Sequence, residues 1–251
     1  MKRLANKVAL VTGAGQGVGQ GIALALSDDG AAVAVFGRTL SKVEETCRLI
    51  RERGGRALAV ECDVKDLASL KQGVDAVVKE FGGLQILVNN AQEVPLGDLL
   101  SVTDDEINAG WDSGPMATLR LMRICYPHLK GDGNIVNLGT AASRRWDAGN
   151  YGAYAAVKEA IRALSRAAAN EWAKDGIRTN VILPLASSPA LEWWMNDRPE
   201  EGAAYVAAVP MRRIGHCETD IGRFVATLCS DDCAYVNGQS IGLDGGQALI
   251  G

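Results

Sequence analysis

The chain has 251 residues, of which 47% are hydrophobic and 22% are charged, so it can bury a core sufficient for one α/β domain without disulfides. Its formal net charge of -4 argues against nucleic acid or an anionic membrane surface as a partner. No apolar run approaches the length of a membrane span and no signal peptide precedes the first predicted strand, so we expect a cytoplasmic protein.

The cysteines and histidines do not suggest a metal site. The six cysteines are scattered without a Cys-x-x-Cys pair, and the two histidines, His128 and His216, lack the spacing of metal ligands. We therefore expect reduced thiols and no bound metal.

The N-terminal segment has the pattern of a strand, a glycine-rich turn and a helix. Residues 8–11 form an unbroken apolar run typical of a strand buried on both faces, and residues 22–26 are apolar at helical spacing. Between them, Gly13, Gly17 and Gly19 follow the spacing Gly-x-x-x-Gly-x-Gly. Glycines let the backbone approach a pyrophosphate, and the free N–H groups of a helix N-terminus attract it. The segment predicts a nucleotide-binding turn.

Apolar strands and helices alternate through the next part of the chain. Strands are predicted over 31–36, 57–62 and 84–88, and helices between them end near Gly54 and Phe81. Strands that are apolar throughout, joined by helices at short intervals, predict a parallel sheet with helices on both faces.

The second half continues this pattern with two irregular features. Further strands are predicted over 135–138, 179–183 and 239–243, and helices over 103–129, 153–174 and 220–228. Gly114-Pro115 predicts a break or kink inside the helix at 103–129. Residues 186–210 are predicted to be an irregular substrate loop. We find no linker or repeat, so one domain is expected over 1–251.

Five motifs occur in one order and at consistent intervals. They are the turn from Thr12 to Gly19, Asp63-Val64, Asn89-Asn90-Ala91, Tyr154-Ala-Ala-Val-Lys158 and Asp244-Gly245-Gly246. Together they resemble the classical short-chain dehydrogenases/reductases over nearly the whole chain. The resemblance implies an α/β fold, a single-domain Rossmann-like doubly wound parallel sheet of about seven strands. It also implies hydride transfer between a nicotinamide cofactor and a carbonyl or secondary-alcohol substrate.

The resemblance also assigns cofactor contacts. These are Gly13, Gln16, Gly17, Val18, Gly19, Arg38, Asp63, Val64, Asn90, Ala91, Tyr154, Lys158, Pro184 and Ser187, with Ser188 as the alternative to Ser187. At the end of the second strand, an acidic residue would bind both ribose hydroxyls of NAD. Gly37 and Arg38 stand there instead, and a guanidinium suits a 2′-phosphate. We expect a preference for NADP(H), with NAD(H) as the alternative.

Tyr154 and Lys158 are the predicted catalytic pair. Four residues apart, they share one face of a helix, and a nearby ammonium is expected to lower the pKa of the tyrosine. In the family the tyrosine exchanges a proton with the substrate oxygen, and the lysine holds the nicotinamide ribose. Thr140 aligns with the family's substrate-binding serine, and Ser143 is the alternative hydroxyl donor.

Three further positions depart from the family pattern. Gly114 replaces an asparagine whose backbone carbonyl holds a water beside the lysine, Gln92 replaces a glycine, and Leu185 replaces the glycine after Pro184. The side chain of Gln92 is expected near the nicotinamide, where it would contact substrate.

The substrate is expected to be an apolar, ring-bearing or acyl ketone or alcohol, because aromatic residues flank the catalytic stretch. Predicted substrate contacts are Gln92, Thr140, Trp146, Tyr151 and Trp193, although several of these aromatics could instead serve the core or subunit contacts. The resemblance implies a homotetramer or homodimer. Two alternatives remain at this point: a non-redox enzyme of the same fold, and a dinucleotide-binding protein with little or no turnover.

Overall fold

The computed structural model describes residues 2–145 and 149–248, and within them seven strands form one parallel sheet. The strands are β1 (Val8–Thr12), β2 (Ala32–Gly37), β3 (Ala57–Glu61), β4 (Ile86–Asn89), β5 (Gly133–Leu138), β6 (Ile177–Pro184) and β7 (Ser240–Leu243). Their order is β3-β2-β1-β4-β5-β6-β7. The chain therefore reverses its direction of winding between β1 and β4, which is where ligands bind in such sheets.

Helices cover both faces of this sheet. They are α1 (Gly17–Asp28), α2 (Leu40–Glu52), α3 (Leu67–Phe81), α4 (Asp104–Trp111), α5 (Ala117–Leu129), α6 (Gly152–Trp172), α7 (Pro189–Asp197), α8 (Pro199–Ala208) and α9 (Arg223–Leu228). The predicted doubly wound parallel sheet is confirmed.

The strands divide the apolar residues between two cores. Val11 and Val35 pack with α1, α2 and α9 on one face, whereas Leu10 and Phe36 pack with α3 and α5 on the other. Successive strand side chains point to opposite faces, so a strand covered on both sides must be apolar at every position. This is why the continuous apolar runs in the sequence are strands.

The predicted break at Gly114-Pro115 is confirmed. Residues Asp112–Met116 form one π-helical turn between α4 and α5. Pro115 has no N–H to continue the α-helical bonding pattern, which accounts for the interruption. The turn and the preceding helix α4 both pack against α6.

The expectation of an irregular stretch over 186–210 is wrong, because α7 and α8 lie within it. Each helix begins with a proline, whose missing N–H costs nothing at that position. Trp194 and Tyr205 hold the two helices together edge to face, with ring centroids 5.9 Å apart. The sequence did not predict these helices, because almost none of their side chains are buried and they therefore lack an apolar stripe.

Among the described residues, no helix is both long and apolar enough to cross a membrane. In the same part of the chain, no group of three or more His, Cys, Asp or Glu side chains is arranged to hold a metal ion.

Candidate active site

A cavity of about 1050 Å³ lies at the carboxyl ends of the strands, at the switch point between β1 and β4. The predicted site residues that line it are Gly13, Gln16, Gly17, Val18, Gly19, Arg38, Asp63, Val64, Asn90, Ala91, Gln92, Thr140, Tyr151, Tyr154, Lys158, Pro184 and Trp193. Parallel strands point their carboxyl ends the same way, so residues far apart in the sequence meet at this edge. Trp146 lies outside the described residues.

Ser187 is the exception among the cofactor contacts predicted in the described chain. Its hydroxyl bonds the Glu192 carboxylate, and it does not line the cavity. The neighbouring Ser188 lines the wall and caps α7, accepting a hydrogen bond from the Leu191 amide at 3.2 Å. The alternative, Ser188, is thus the residue that the fold places at the cavity.

The glycine turn after β1 has the shape of a phosphate cradle. Gly13 and Gly17 have φ angles of +62° and +58°, a region that favours glycine. A Cβ at Gly13 would lie 2.9 Å from the Ala91 Cα, and one at Gly19 would lie 2.5 Å from the Gly13 carbonyl oxygen. Gln16 makes no side-chain cap at the start of α1, which leaves the first amides available to an anion.

The segment after β4 braces this turn. The Asn90 side-chain amide donates to the carbonyl oxygens of Thr12 at 2.9 Å and Gly13 at 3.1 Å. The backbone amides of Asn90 and Ala91 donate to the Thr12 hydroxyl at 2.9 and 3.0 Å. The cradle is therefore held in shape before any ligand binds, and its residues fit a dinucleotide pyrophosphate.

Basic side chains surround the end of β2. The last residue of this strand is Gly37, which has no side chain and so supplies no carboxylate. The Arg38 guanidinium and the Lys65 ammonium both contact Glu93 Oε1, at 2.8 and 2.9 Å. Lys42 donates to Gln16 Oε1 at 2.7 Å. The Arg38 side chain is 60% exposed. Sequence reasoning missed Glu93 and Lys42, whose proximity to Arg38 depends on how β2, α2 and the loop after β4 come together.

Tyr154 and Lys158, near the start of α6, meet Thr140 directly after β5. Tyr154 and Thr140 both line the cavity, and the Thr140 side chain lies close enough to Tyr154 to influence its ionisation. The Lys158 ammonium donates to the Leu138 carbonyl oxygen at 2.8 Å and lies 5.7 Å from the centroid of the Tyr154 ring. Ser143 points elsewhere: its hydroxyl lies 2.7 Å from Glu159 Oε1 and 2.9 Å from the Thr140 carbonyl oxygen.

Burial dominates the ionisation of this pair. It raises the pKa of Tyr154 to about 12, against a smaller lowering by the Thr140 hydroxyl, and it lowers the pKa of Lys158 to about 7. The expectation that Lys158 lowers the pKa of Tyr154 is not met in this structure. The lysine is directed at the Leu138 carbonyl, and desolvation penalises the charged form of both groups.

Gln92 and Gly114, two of the departures from the family pattern, are neighbours in space. The Gln92 Nε2 donates to the Gly110 and Glu93 carbonyl oxygens at 2.8 and 3.0 Å. Although Gln92 lines the cavity, its amide is engaged with the Gly110 carbonyl of α4 and with Glu93, and its expected contact with substrate stays a prediction. Leu185, the third departure, is nine-tenths buried in the wall, and its amide donates to the Leu243 carbonyl oxygen at 3.0 Å.

The end of the cavity beyond Tyr154 is lined mainly by large side chains. It is lined by Tyr151 and Trp193, to which the sequence pointed, and also by Val94, Leu96, Leu191, Trp194, Tyr205 and Arg145. The Arg145 guanidinium lies 5.7 Å from the centroid of the Tyr205 ring. The loop after β4 and the helices α7 and α8 supply most of these residues, and no periodic signal in the sequence marks them.

Comparison with known proteins gives a consistent result. A family model described as "Enoyl-(Acyl carrier protein) reductase" matches residues 13–248. A 12alpha-hydroxysteroid dehydrogenase from a Clostridium species is 39% identical over 250 residues, covering 96% of each chain.

Two solved structures share the whole fold. A short chain dehydrogenase from Burkholderia cenocepacia in complex with NADP has a TM-score of 0.90 and 30% identity, covering 98% of this chain and 99% of that one. A 7 alpha-hydroxysteroid dehydrogenase complexed with NADH and 7-oxo glycochenodeoxycholic acid has a TM-score of 0.92 and 27% identity, covering 99% and 96%.

The chain belongs to the classical short-chain dehydrogenase/reductase family. It is a nicotinamide-dependent oxidoreductase that transfers a hydride between the cofactor and a carbonyl or alcohol substrate. These relatives favour an enzyme over a dinucleotide-binding protein with little turnover.

Proposed function

We propose that the protein is an NADP(H)-preferring dehydrogenase that interconverts a secondary alcohol and a ketone on a rigid, apolar ring system such as a steroid. The observation that carries the proposal is that Tyr154, Thr140 and Lys158 line one cavity together with several aromatic side chains. The 39% identity to a 12alpha-hydroxysteroid dehydrogenase supports the choice of ring system.

In this proposal Tyr154 exchanges the proton. Burial keeps its hydroxyl protonated at neutral pH, and a neutral hydroxyl is the form that can donate to a ketone oxygen. Thr140 binds the same oxygen and fixes its position between the two hydroxyls. When bound, the nicotinamide supplies or accepts the hydride. One hydride and one proton thus convert the ketone to the alcohol, and the reverse reaction returns both.

Lys158 has two proposed tasks. Its side chain is buried between α6 and β5, where it can hold the ribose hydroxyls of the nicotinamide nucleoside. Its pKa of about 7 lets it gain and lose a proton near neutral pH. A buried lysine with this pKa can therefore hold a proton near Tyr154 and replace the proton that the tyrosine spends on the substrate.

The preference for NADP(H) follows from the charges near β2. Arg38 and Lys42 both line the cavity, and Gly37 presents no carboxylate to repel a 2′-phosphate. The contact of Arg38 with Glu93 is exposed, and exposed ion pairs contribute only about 0–1 kcal/mol. A doubly charged phosphate forms stronger, bidentate contacts with a guanidinium, so it can replace Glu93 at little cost.

The preference for a ring-bearing substrate follows from the walls of the cavity. Trp193, Trp194 and Tyr205 from α7 and α8 line the cavity together with the apolar residues Val94 and Leu96 from the loop after β4. A rigid apolar substrate buries much surface there and loses little conformational entropy on binding. A short aliphatic alcohol would leave most of these side chains without a partner.

The remaining expectations are part of the same proposal. Residues 1–251 form one cytoplasmic domain whose segment 186–210 covers the substrate, and the domain assembles as a homotetramer. Leu99 and Leu100, next to α4, are 77% and 101% exposed, which is unfavourable for apolar side chains unless a second subunit covers them. Analytical ultracentrifugation of the purified protein tests this part, and a monomer at micromolar concentration would contradict it.

The activity is tested with a panel of alcohols, each offered with NADP⁺ and with NAD⁺. The panel contains hydroxysteroids that differ in the position of the hydroxyl, monocyclic secondary alcohols and short aliphatic secondary alcohols. We expect the highest kcat/KM with a hydroxysteroid and NADP⁺. Turnover confined to short aliphatic alcohols would contradict the proposed substrate class, and a preference for NAD⁺ would contradict the proposed cofactor.

A further inference from the structure

The π-helical turn Asp112–Met116 contains Pro115, which has no amide hydrogen to continue the hydrogen bonding of the helix. A carbonyl oxygen inside a protein needs a donor if burying it is not to cost stability. At the Gly110 carbonyl, just before this turn, the Ser113 hydroxyl is a distant donor at 3.4 Å, and a closer donor comes from outside the helix.

Gln92, in the loop after β4, supplies that donor. Its Nε2 lies 2.8 Å from the Gly110 carbonyl oxygen and 3.0 Å from the Glu93 carbonyl oxygen. Both neighbours are acceptors, which fixes the orientation of the amide. The next residue reinforces the contact, since the Glu93 amide donates to Ser113 Oγ at 2.9 Å and that hydroxyl lies 2.7 Å from the Ala109 carbonyl oxygen.

The absence of a side chain at Gly114 makes room for this arrangement. A Cβ built at Gly114 would overlap with Gln92 Oε1 and would lie 2.7 Å from Nε2 and 2.9 Å from Cδ. Real Cβ atoms essentially never approach other atoms so closely. The amide of Gln92 and a side chain at position 114 therefore compete for one volume, so a residue larger than glycine at 114 requires the Gln92 amide to move.

The turn shaped in this way supports the catalytic helix. It packs directly against α6, which carries Tyr154 and Lys158, and Ser113 from the turn lines the cavity. A shift of the turn would therefore displace the surface on which α6 rests. Small displacements of catalytic groups reduce turnover strongly while leaving the distant cofactor contacts in place.

We propose that Gln92 is a positioning residue, whose amide donates to the Gly110 carbonyl beside the π-helical turn, fills the space above Gly114 and thereby holds α6 in its catalytic position. This inference rests on the proposed function for its effect on turnover. Its structural half, the competition of residues 92 and 114 for one volume, does not depend on the reaction.

The first test is a reciprocal exchange that moves the amide from position 92 to position 114. The variants are Gln92→Gly, Gly114→Asn and the double variant. We expect each single change to lower the Tm and to reduce kcat by about tenfold or more, and the double variant to recover most of both losses. If the losses of the two single variants simply summed in the double variant, the inference would be overturned, because the effects of substitutions at non-interacting sites are additive.

The second test separates the hydrogen bond from the volume. Gln92→Met keeps the length of the side chain but cannot donate to Gly110. The matched control is Gln85→Met, which removes the 2.9 Å bond from the Val8 amide to Gln85 Oε1 ahead of β4. We expect Gln92→Met to reduce kcat while the KM for NADPH stays within about twofold, and Gln85→Met to change the Tm alone. Equal effects of the two variants on kcat would overturn the inference.

The two hypotheses fail in different ways. If the wild-type protein turned over no member of the alcohol panel, the proposed function would fail, yet the Tm values of the exchange series would still show or refute the competition between positions 92 and 114. If the enzyme were active and the exchange showed no recovery in Tm, the inference alone would fail.

Discussion

The Arg38 guanidinium lies 2.8 Å from Glu93 Oε1, and this ion pair joins the segment after β2 to the loop after β4 along the wall of the cavity. Glu93 also contacts the Lys65 ammonium at 2.9 Å, so one carboxylate neutralises two cations beside the proposed site of the 2′-phosphate. Glu93 therefore competes with the proposed 2′-phosphate for contact with Arg38 and Lys65.

We predict that Arg38→Ala weakens NADPH binding about tenfold or more and leaves NADH binding within about twofold, because a charge-assisted hydrogen bond contributes about 1.5–3 kcal/mol. Glu93→Gln should strengthen NADPH binding a few-fold by releasing Arg38 and Lys65. Fluorescence titration with both nucleotides measures this. Arg48→Ala on α2, which removes an exposed arginine paired with Glu45, is the control for the change in charge. An equal loss for NADPH and NADH in Arg38→Ala would contradict the prediction.

Thr140 is predicted to be the hydroxyl donor to the substrate. Thr140→Val keeps the shape and removes the donor, and it should reduce kcat by about 10²-fold or more, whereas Thr140→Ser should stay near the wild type. Ser143→Ala is the matched control, because the Ser143 hydroxyl is directed at Glu159 and at the Thr140 carbonyl. A larger loss in Ser143→Ala than in Thr140→Val would reverse the assignment.

The lowered pKa of Lys158 predicts that the unfolding free energy of the protein depends on pH. This pKa is about 7 in the folded state and 10.5 in the reference state, so between these values the unfolded chain binds a proton that the folded chain does not. Raising the pH through this window therefore favours folding. The unfolding free energy of the wild type, minus that of Lys158→Met, should rise by up to about 1.4 kcal/mol per pH unit.

Urea unfolding at several pH values between about 7 and 10 measures this difference. Other groups titrate in the same range, but they are present in both proteins and cancel. A difference that stays constant over the window would show that Lys158 keeps its proton inside the folded protein.

Trp193 is predicted to contact substrate. Its side chain is 68% exposed, so Trp193→Ala should leave the Tm nearly unchanged, but it should raise the KM for ring-bearing alcohols more than for short ones. Tyr235→Ala is the control, since Tyr235 is a fully exposed aromatic that does not line this cavity. A uniform change across the alcohol panel would count against the contact.

The sequence predicted best what depends on local pattern. The apolar runs indicated every strand of the sheet, and the spacing of Gly13, Gly17 and Gly19 indicated the cradle, because a strand, a turn and a helix are adjacent along the chain. Tyr154 and Lys158 were recognised for the same reason, because a separation of four positions on one helix places both side chains on the same face.

What the sequence did not predict depends on contacts between distant segments. Gln92 and Gly114 were both recognised as unusual, but their competition for one volume required the loop after β4 and the π-helical turn to be placed together. The pairing of Arg38 with Glu93 is of the same kind. The helices α7 and α8 were missed for a different reason, because they cover the cavity and bury too little to show an apolar period.

Tyr154 is predicted to exchange the proton with the substrate in a site that binds the cofactor independently. The most direct measurement compares wild type and Tyr154→Phe with NADPH and a ketosteroid, recording nicotinamide absorbance for turnover and fluorescence for binding. We predict that Tyr154→Phe loses turnover by about 10²-fold or more while its Kd for NADPH stays within about twofold, since only one hydroxyl is removed. Turnover retained near the wild-type rate would contradict the account.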